Sequence, residues 1–449
     1  MQTQRDHVHA YQFLMGRMSS ALVLADPASA EVPAKRAKTG LIVGVVLALL
    51  IGVGFGVYGL FVPGGSKKWQ AQGAIVVEKE TGARFVNAGG VLHPTLNYAS
   101  AKLLQGAGSE VQMISQASLV DAPRGGPIGI PDAPQTLPPV EDLAGSHWLA
   151  CLPGAETGAA PGRFNLDFDP TSSSRQMSAD QYLPVRSADG TDYLLWQGRK
   201  HRIADPSVQI ALGMANARPP TAPAWWLDEV PAGPVLEPAS IDGAGSAGPP
   251  VGGAPRQVGQ LFEQQAANGE VQRFVLRADG LAPLSMTEFA LLAARPGNPA
   301  PERIGAAAVA AAPRSADRSL FDRIPDLSGA GWRSSADALC LRQNPAGTQV
   351  RSQVVLAAPR QAAAPGGAVN VRPGTGLVAG ALPLPAGQRV PDRYLITDQG
   401  TKHLMPDDES MQALGFGSAP VRPIANELLA ALPTGPVLSR AAMGVSEKG

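Results

Sequence analysis

Two histidine–aspartate pairs with the same internal spacing are the residues in this sequence best suited to proton transfer. His201 precedes Asp205 by four positions, and His403 precedes Asp407 by four. An imidazole and a carboxylate are common partners in general acid–base catalysis. Each aspartate also stands just before a short apolar segment, where its carboxylate would cap the first N–H groups of a helix. The sequence favours this structural role for all four side chains and predicts no catalytic residue.

Both pairs belong to a phrase that the chain contains twice. YLLWQGRKHRIADPSVQIALG at 193–213 returns as YLITDQGTKHLMPDDESMQALG at 394–415. The PAGPVL that follows the first copy also returns, as PTGPVL, after the second. A register kept over such a distance indicates a duplication.

A second pair of similar segments supports the duplication. One begins at Phe85 and the other at Phe274, and each leads through a Gly and a Pro to an Ala/Leu-rich stretch. The order of the segments predicts two similar halves, 70–236 and 256–438. A Gly/Pro-rich linker at 237–255 is expected to join them.

Each repeated segment has the pattern of a short hairpin followed by a short helix. Alternating apolar residues around a turn indicate the two strands. An Asn, Asp or Ser then stands at the start of each helical stretch, where these residues act as caps. The predicted caps are Asn97, Asp205, Ser285 and Asp407.

The aromatic side chains of the strands are predicted to be core residues rather than a ligand platform. The adjacent Trp225 and Trp226 are open to three interpretations, as core residues, as an interface, or as a surface on which a sugar stacks.

The only two cysteines, Cys151 and Cys340, are too far apart for a metal or redox motif. They are either two buried thiols or one long-range disulfide. The chain also contains no G-x-x-x-x-G-K-[ST] phosphate loop, G-x-S-x-G elbow, HExxH or EF-hand loop. We therefore predict neither a metal site nor a cofactor.

Residues 41–62 contain no charged side chain, and a helix of this length covers about 33 Å, enough to cross the hydrocarbon core. Basic residues precede the segment closely at Lys35, Arg36 and Lys38. We expect a single membrane helix with a cytoplasmic segment at 1–40 and an exported domain at 70–449. In an oxidising exterior the Cys151–Cys340 disulfide is favoured over free thiols.

The cytoplasmic segment is predicted to contain an amphipathic helix that ends near Asp26 and Pro27. Such a helix needs a surface for its apolar stripe, either the membrane or a partner protein. The partner is favoured because the polar face is not strongly basic. The stripe consists of Val8, Tyr11, Met15, Met18 and Leu22.

The whole chain has 37 basic and 37 acidic residues, so its formal net charge is zero. A neutral chain offers no electrostatic attraction for nucleic acid, and no nucleic-acid partner is expected.

Several long stretches resemble EccB, the single-span core component of actinobacterial type VII (ESX) secretion systems. They are RDHVHAYQFLMGRMSSALVLADP near the N-terminus, AIVVEKETGARFVNAGGVLHPTLNYASAKLL after the span, RGGPIGIPDAPQTLPP at 124–139, DGTDYLLWQGRKHRI and the terminal ALPTGPVL. The resemblance runs nearly from end to end, and the order of the parts is that of the family.

The resemblance implies an α+β protein with one N-terminal transmembrane helix. It implies an elongated periplasmic domain of duplicated strand–helix repeats around a central β-rich part, with the Cys151–Cys340 disulfide. It also implies an inner-membrane location and assembly with EccC (the motor ATPase), EccD, EccE and other copies of itself. An ATPase activity is sometimes attached to the family name, although this chain lacks the phosphate-binding motif.

Three functions are therefore compared. The leading hypothesis is a non-catalytic scaffold that is anchored in the secretion complex and holds subunits together in the periplasm. The first alternative is ATP hydrolysis within the same system. The second alternative is a cell-wall-glycan-binding membrane protein that uses exposed aromatics such as Trp225 and Trp226.

Overall fold

The computed structural model describes residues 4–24, 34–61, 66–169, 171–332, 336–364, 366–384 and 386–443. The chain divides into two compact units. One holds the N-terminal helices together with residues 77–83 and 112–123, and the other holds most of the β-rich chain.

Two long helices come first, α1 (Gln4–Leu24) and α2 (Ala34–Phe61). Within α2, the stretch Ala37–Gly59 has a mean hydropathy of 2.7 and no buried part, so it is long and apolar enough to cross a membrane. The span starts a few residues before the predicted 41–62, because the helix already begins in the basic segment that precedes the apolar residues.

The side chains of the predicted stripe on α1 are all exposed. Val8, Tyr11, Met15, Met18 and Leu22 are each about half exposed or more. The predicted end of this helix at Asp26 and Pro27 lies outside the described residues.

The chain after α2 is rich in short strands. Up to residue 222 these are β1 (Ala74–Glu78), β2 (Arg84–Ala88), β3 (Val91–Pro94), β4 (Glu110–Ile114), β5 (Trp148–Cys151), β6 (Asn165–Asp167), β7 (Ser174–Gln176), β8 (Gln181–Ser187), β9 (Asp192–Trp196), β10 (Arg199–Arg202) and β11 (Thr221–Ala222). The helices in this part are α3 (Tyr98–Gln105), α4 (Ser207–Ala211) and α5 (Ala224–Asp228).

The rest of the chain continues in the same way. Its strands are β12 (Ala247–Val251), β13 (Ala254–Gln257), β14 (Leu261–Gln265), β15 (Val271–Arg277), β16 (Gly280–Leu284), β17 (Glu302–Arg303), β18 (Gly331–Trp332), β19 (Ala338–Ala346), β20 (Gln349–Ala357), β21 (Val369–Asn370), β22 (Leu377–Leu382), β23 (Arg393–Ile396), β24 (Lys402–Met405) and β25 (Arg422–Ala425). Its helices are α6 (Met286–Ala294), α7 (Ala306–Ala311), α8 (Ser319–Asp322), α9 (Pro359–Ala363), α10 (Asp408–Leu414) and α11 (Asn426–Ala431).

One order of elements, three strands, a helix and a fourth strand, occurs four times along the chain. We name these segments the first repeat (74–130), the second (181–236), the third (261–315) and the fourth (377–438). In the last three, the sheets have the orders β10-β9-β8-β11, β16-β15-β14-β17 and β24-β23-β22-β25. The fourth strand is parallel to the first in each of these sheets. The hairpin and helix predicted from sequence are thus the middle of a larger βββαβ unit, which has three strands before the helix and one after it.

The helices of the repeats pack in two pairs. In the first and fourth repeats α3 contacts α10, and Leu103 shares a buried cluster with Met411. In the second and third repeats α4 contacts α6, and Val208 shares a cluster with Leu291. Each short helix has one apolar face, and pairing with another helix removes that face from water.

A six-stranded sheet with the order β21-β6-β5-β19-β20-β7 forms the central β-rich part. Its core cluster includes buried residues of both the second and the fourth repeat, such as Leu195 and Ile396. Strands β5 and β19 are antiparallel, with Cys151 directly opposite Cys340. The disulfide between them spans 189 positions of sequence, and both residues are fully buried.

The sheet draws strands from both predicted halves of the sequence, and each helix pair also joins one half to the other. The predicted halves 70–236 and 256–438 are therefore units of sequence rather than separately packed bodies. The physical reason is that the buried faces that hold the repeats together have their partners in the opposite half.

The predicted linker at 237–255 contains structure. Strands β12 and β13 form a hairpin around Gly252 and Gly253, both of which have positive φ, as a two-residue turn requires. Ala239 and Ile241 are buried in the core cluster of the third repeat. The Gly and Pro content that suggested a linker instead serves a tight turn and an ordered connection.

The adjacent tryptophans also receive a definite position. Trp226 is fully buried, and its indole N–H donates to the Ala150 carbonyl at 3.0 Å. The Trp225 ring packs edge-on against Phe164 with centroids 4.9 Å apart. The sugar-stacking interpretation is wrong for Trp226, because a side chain in the core presents no face to a ligand.

Candidate functional site: the histidine–glycine contacts of the repeats

Three repeats hold a histidine at the same place on their third strand. His93, His201 and His403 each come directly after a residue that forms a parallel β-bridge with a later segment of the chain, which we call the returning segment. The Nδ1 atoms lie 3.0 Å, 3.0 Å and 3.2 Å from the carbonyl oxygens of residues 33 positions later, which are Gly126, Pro234 and Pro436. A neutral imidazole that donates from Nδ1 makes this hydrogen bond. Each histidine thus fastens the returning segment to its own hairpin.

A glycine lies against each imidazole ring. A Cβ built on Gly125, Gly233 or Gly435 would lie 2.2 Å, 2.2 Å or 2.1 Å from Cε1 of His93, His201 or His403. These distances are far below van der Waals contact, so no larger residue fits while the ring stays in place. The glycine is needed here for close approach rather than for an unusual φ.

The third repeat does without this contact. The residue that corresponds to the histidine is Ala282, because Val275 pairs with Ala282 as Leu194 pairs with His201. The residue that corresponds to the glycine is Ser315, which follows the bridged Arg314. The Ser315 hydroxyl donates to Asp279 at 3.0 Å. Histidine with glycine, or alanine with serine, are thus two ways to fill the same space.

The electrostatics agree with a structural role for the histidines. Burial lowers the pKa of His201 and of His403, and the hydrogen bond to the carbonyl of Pro234 or Pro436 opposes this only in part. The neutral form, which the Nδ1–H donor geometry uses, is thereby favoured.

Three of the predicted helix-cap residues accept a hydrogen bond from the third residue after them. Asp407 accepts from the Ser410 N–H at 2.6 Å, Asn97 from Ser100 at 2.9 Å and Ser285 from Glu288 at 3.1 Å. Each bond satisfies one of the N–H groups that a helix start leaves open.

Asp205 differs slightly from the other three. Its carboxylate accepts from the Ser207 N–H at 2.8 Å, and α4 begins at Ser207 rather than at Pro206. Both doubled aspartates therefore accept bonds from backbone N–H groups. In these positions they hold the starts of helices.

A buried ion pair joins helix α6 of the third repeat to the segments that precede and follow that repeat. Glu288, which is fully buried, accepts from Arg323 at 2.8 Å and 3.0 Å and from the Ala239 N–H at 3.2 Å. Arg323 also donates to the Glu237 carbonyl at 2.5 Å. A buried carboxylate persists only with such partners, so the pair fixes the register of the connection against α6.

Within the part of the chain that the structure describes, no group of three His, Cys, Asp or Glu side chains is placed to hold a metal ion. The contacts described above hold the repeats together. Sequence reasoning missed the histidine–glycine contact, although the constant distance from His201 to PAGPVL and from His403 to PTGPVL carried the signal.

The buried histidines predict how stability depends on pH. Because their pKa values lie below the ordinary 6.5, the unfolded chain binds more protons than the folded chain as the pH falls through this value. Their contribution is fully present above pH 6.5 and is lost below it. We expect the free energy of unfolding to fall between about pH 7 and pH 5.5, by at most about 1.4 kcal/mol per pH unit for each histidine. Urea denaturation of the detergent-solubilised chain at a series of pH values measures this.

The control is a variant that copies the third repeat, His201→Ala/Gly233→Ser. Its pH dependence should be smaller than that of the wild type, because one of the two buried imidazoles is gone. A wild-type stability that stays constant or rises as the pH falls through this window would contradict the assignment.

Comparison with known proteins gives one consistent result. The family described as "Type VII secretion system ESX-1, transport TM domain B" matches residues 1–449. The ESX-3 secretion system ATPase EccB3 of Mycolicibacterium smegmatis is 28% identical over 475 residues, which cover 97% of this chain and 89% of that protein. The ESX-5 secretion system ATPase EccB5 of Mycobacterium marinum is 27% identical, with 97% of this chain and 92% of that protein covered.

Solved structures are similar along most of the chain. A chain of an intact ESX-5 inner membrane complex superposes with a TM-score of 0.54 at 23% identity, over 100% of this chain and 96% of that one. The EccB3 dimer from the ESX-3 core complex gives a TM-score of 0.51 at 26% identity, over 83% of this chain and 100% of that one.

Proposed function

We propose, from the premise that this chain belongs to the EccB family of type VII (ESX) secretion components, that it works as a scaffold without a reaction centre of its own. It is a membrane protein and a structural component of that secretion system. The finer proposal is that its repeats hold neighbouring subunits together outside the cytosol. The observation that carries it is the use of the repeats' conspicuous polar residues, His201, His403, Asp205 and Asp407, for internal contacts.

The proposed orientation has residues 1–40 in the cytosol and residues 70–449 in the periplasm. The basic residues before the span support it, as does a disulfide, which persists in an oxidising compartment. Protease added to intact spheroplasts should then remove the β-rich part and leave α1 protected.

The proposed partners are EccC, EccD and EccE subunits and further copies of this chain. Self-association is supported by the EccB3 dimer among the similar structures. The exposed stripe of α1 supports a protein contact on the cytosolic side, because large apolar side chains at helical spacing are stable only when covered.

The test is co-purification of the full chain from its native membrane in a mild detergent. We expect EccC-, EccD- and EccE-type subunits to co-purify with the wild type. Met15→Asp/Met18→Asp should reduce their recovery about tenfold or more, because two charges cannot enter an apolar interface without loss of several kcal/mol.

The matched control is His9→Asp/Gln12→Asp, which places two new carboxylates at other exposed positions of the same helix. It should retain the partners. If the wild type purifies without any partner subunit, the scaffold proposal is wrong. If both variants recover equal amounts of the partner subunits, the apolar stripe of α1 is not the contact.

The similar proteins are named ATPases, and that name is a statement about those proteins. In this chain the sequence contains no phosphate-binding loop of the G-x-x-x-x-G-K-[ST] type. We therefore leave ATP hydrolysis out of the proposed function.

A further inference from the structure

A cavity of about 480 Å³ lies where the second repeat meets the third. This volume falls in the range of small-molecule sites. Its walls combine the aromatic rings of Trp196 and Phe321, the imidazole of His201, and charged groups of both signs from Arg199, Asp322, Arg323 and Asp326.

The tryptophan ring and one of the cations are special to the second repeat. Trp196 and Arg199 close the β9–β10 hairpin as its last residue pair. The same place in the other three repeats is taken by Ala88 with Val91, Arg277 with Gly280, and Thr397 with Thr401. Since the hairpin forms with four unrelated pairs, its folding does not explain a tryptophan and an arginine here.

His201 forms part of the cavity wall but offers no accessible acceptor atom. Its Nδ1 is engaged with the Pro234 carbonyl, so in the neutral ring Nε2 has a lone pair and no proton. The side chain is only 2% exposed, and Nε2 has no hydrogen-bond partner among the described residues. Because Nε2 is itself buried, a ligand in the cavity does not reach it, and His201 shapes the wall without binding.

The charges of the cavity argue against an ion as the ligand. Arg323 is engaged by Glu288 and the Glu237 carbonyl, and Asp326 accepts from Thr287 and Ser328. Arg199, which donates to the Ala232 carbonyl at 3.1 Å through one N–H group, and Asp322 have opposite signs, so the cavity has no strong excess of either charge. A neutral ligand with many hydroxyl or amide groups fits better.

Trp196 provides the apolar half of such a site. Its indole N–H donates to the Ala179 carbonyl at 2.9 Å, which fixes the ring at the surface of the repeat. The ring centroid lies 6.5 Å from that of His201, so a ligand stacked on the indole is close to the imidazole. The C–H face of a sugar ring packs on an aromatic surface while its hydroxyl groups bond to polar neighbours.

We propose that this cavity is a binding site for a neutral glycan, with Trp196 as the stacking platform and Arg199 and Asp322 as hydrogen-bonding groups at the rim. In the orientation proposed above, the glycan available is that of the cell wall. The glycan would hold the exported part of the chain to the wall, which goes beyond the scaffold role. Trp225 and Trp226 take no part.

The experiment is an isothermal calorimetric titration of the full chain in detergent with tri-N-acetylchitotriose. We expect saturable binding by the wild type and about tenfold weaker binding by Trp196→Ala, since loss of a stacking ring removes about 1.4 kcal/mol. Trp196→Phe, which keeps a ring, should bind within about threefold of the wild type.

The matched control is Trp332→Ala, a second partly buried tryptophan that packs on the same core cluster but lines another cavity. It should bind like the wild type. Melting curves show whether each variant is folded. If Trp196→Ala does not fold, Trp196→Phe and Arg199→Ala test the site in its place.

Absence of binding by the folded wild type, or equal binding by wild type and Trp196→Ala, overturns the proposal. So does a preference for the isolated stem peptide of peptidoglycan over the sugar. None of these outcomes affects co-purification with the secretion subunits, so the scaffold proposal and the glycan proposal fail separately.

Discussion

Gly233→Ala is expected to lower the free energy of unfolding by about 3 kcal/mol or more. The new methyl group would lie 2.2 Å from Cε1 of His201 and 2.6 Å from its Nδ1. Relief of this overlap requires the imidazole to move, and the hydrogen bond to the Pro234 carbonyl is then lost in a buried place. Gly435→Ala against His403 should have the same effect, since the geometry is repeated there. Urea denaturation of the full chain measures both.

Two further variants test the cause. His201→Ala/Gly233→Ala should be more stable than Gly233→Ala alone, because the third repeat folds with Ala282 in the place of the histidine. Gly305→Ala is the matched control, since a Cβ there meets nothing within 4 Å, and it should change stability by less than about 0.5 kcal/mol. If Gly233→Ala is as mild as Gly305→Ala, the close contact is not what the glycine is for.

Removal of the disulfide by Cys151→Ala/Cys340→Ala is expected to cost about 5 kcal/mol on the chain-entropy model. The bond closes a loop with a sequence separation of 189, and the open loop gives the unfolded chain much more freedom. The bond also holds β5 to β19 at the centre of the sheet. Denaturation of the wild type and the variant under oxidising conditions gives the difference.

The wild type under reducing conditions is the control for packing. If the cross-link is the source of the stability, the reduced wild type and the double variant should unfold at similar urea concentrations. A double variant that keeps the full stability of the oxidised wild type would show that the central sheet does not depend on the bond.

Several features of the fold follow from local sequence. The membrane helix is predicted because a run without charge at 41–62 can hydrogen-bond in lipid only as a helix. The cap at Asp407 follows from an aspartate before an apolar stretch and a glycine after it. The repeats are visible because the same residues recur at the same spacing. Each of these patterns is contained in about twenty residues, and recognising it needs no knowledge of how the chain packs.

Other features could not be predicted this way. The Gly/Pro-rich segment at 237–255 has the composition of a linker and of a turn alike, and only the neighbours of Ala239 and Ile241 distinguish them. Trp226 was open between core and surface until Ala150 gave its indole a buried acceptor. Burial depends on which residues pack against a side chain, and the neighbouring residues in the sequence do not give that information.

The sequence by itself determined the anchor, the four-fold recurrence of strands and helix, and two cysteines able to form one bond. Only the tertiary structure decided which copies pair, α3 with α10 and α4 with α6, and that three histidines press against glycines 32 positions away. The physical reason is that each repeated pattern is short and can be recognised from its own residues, wherever in the chain it returns. The choice of partners depends on apolar faces of similar size, which are distinguished only when whole surfaces meet.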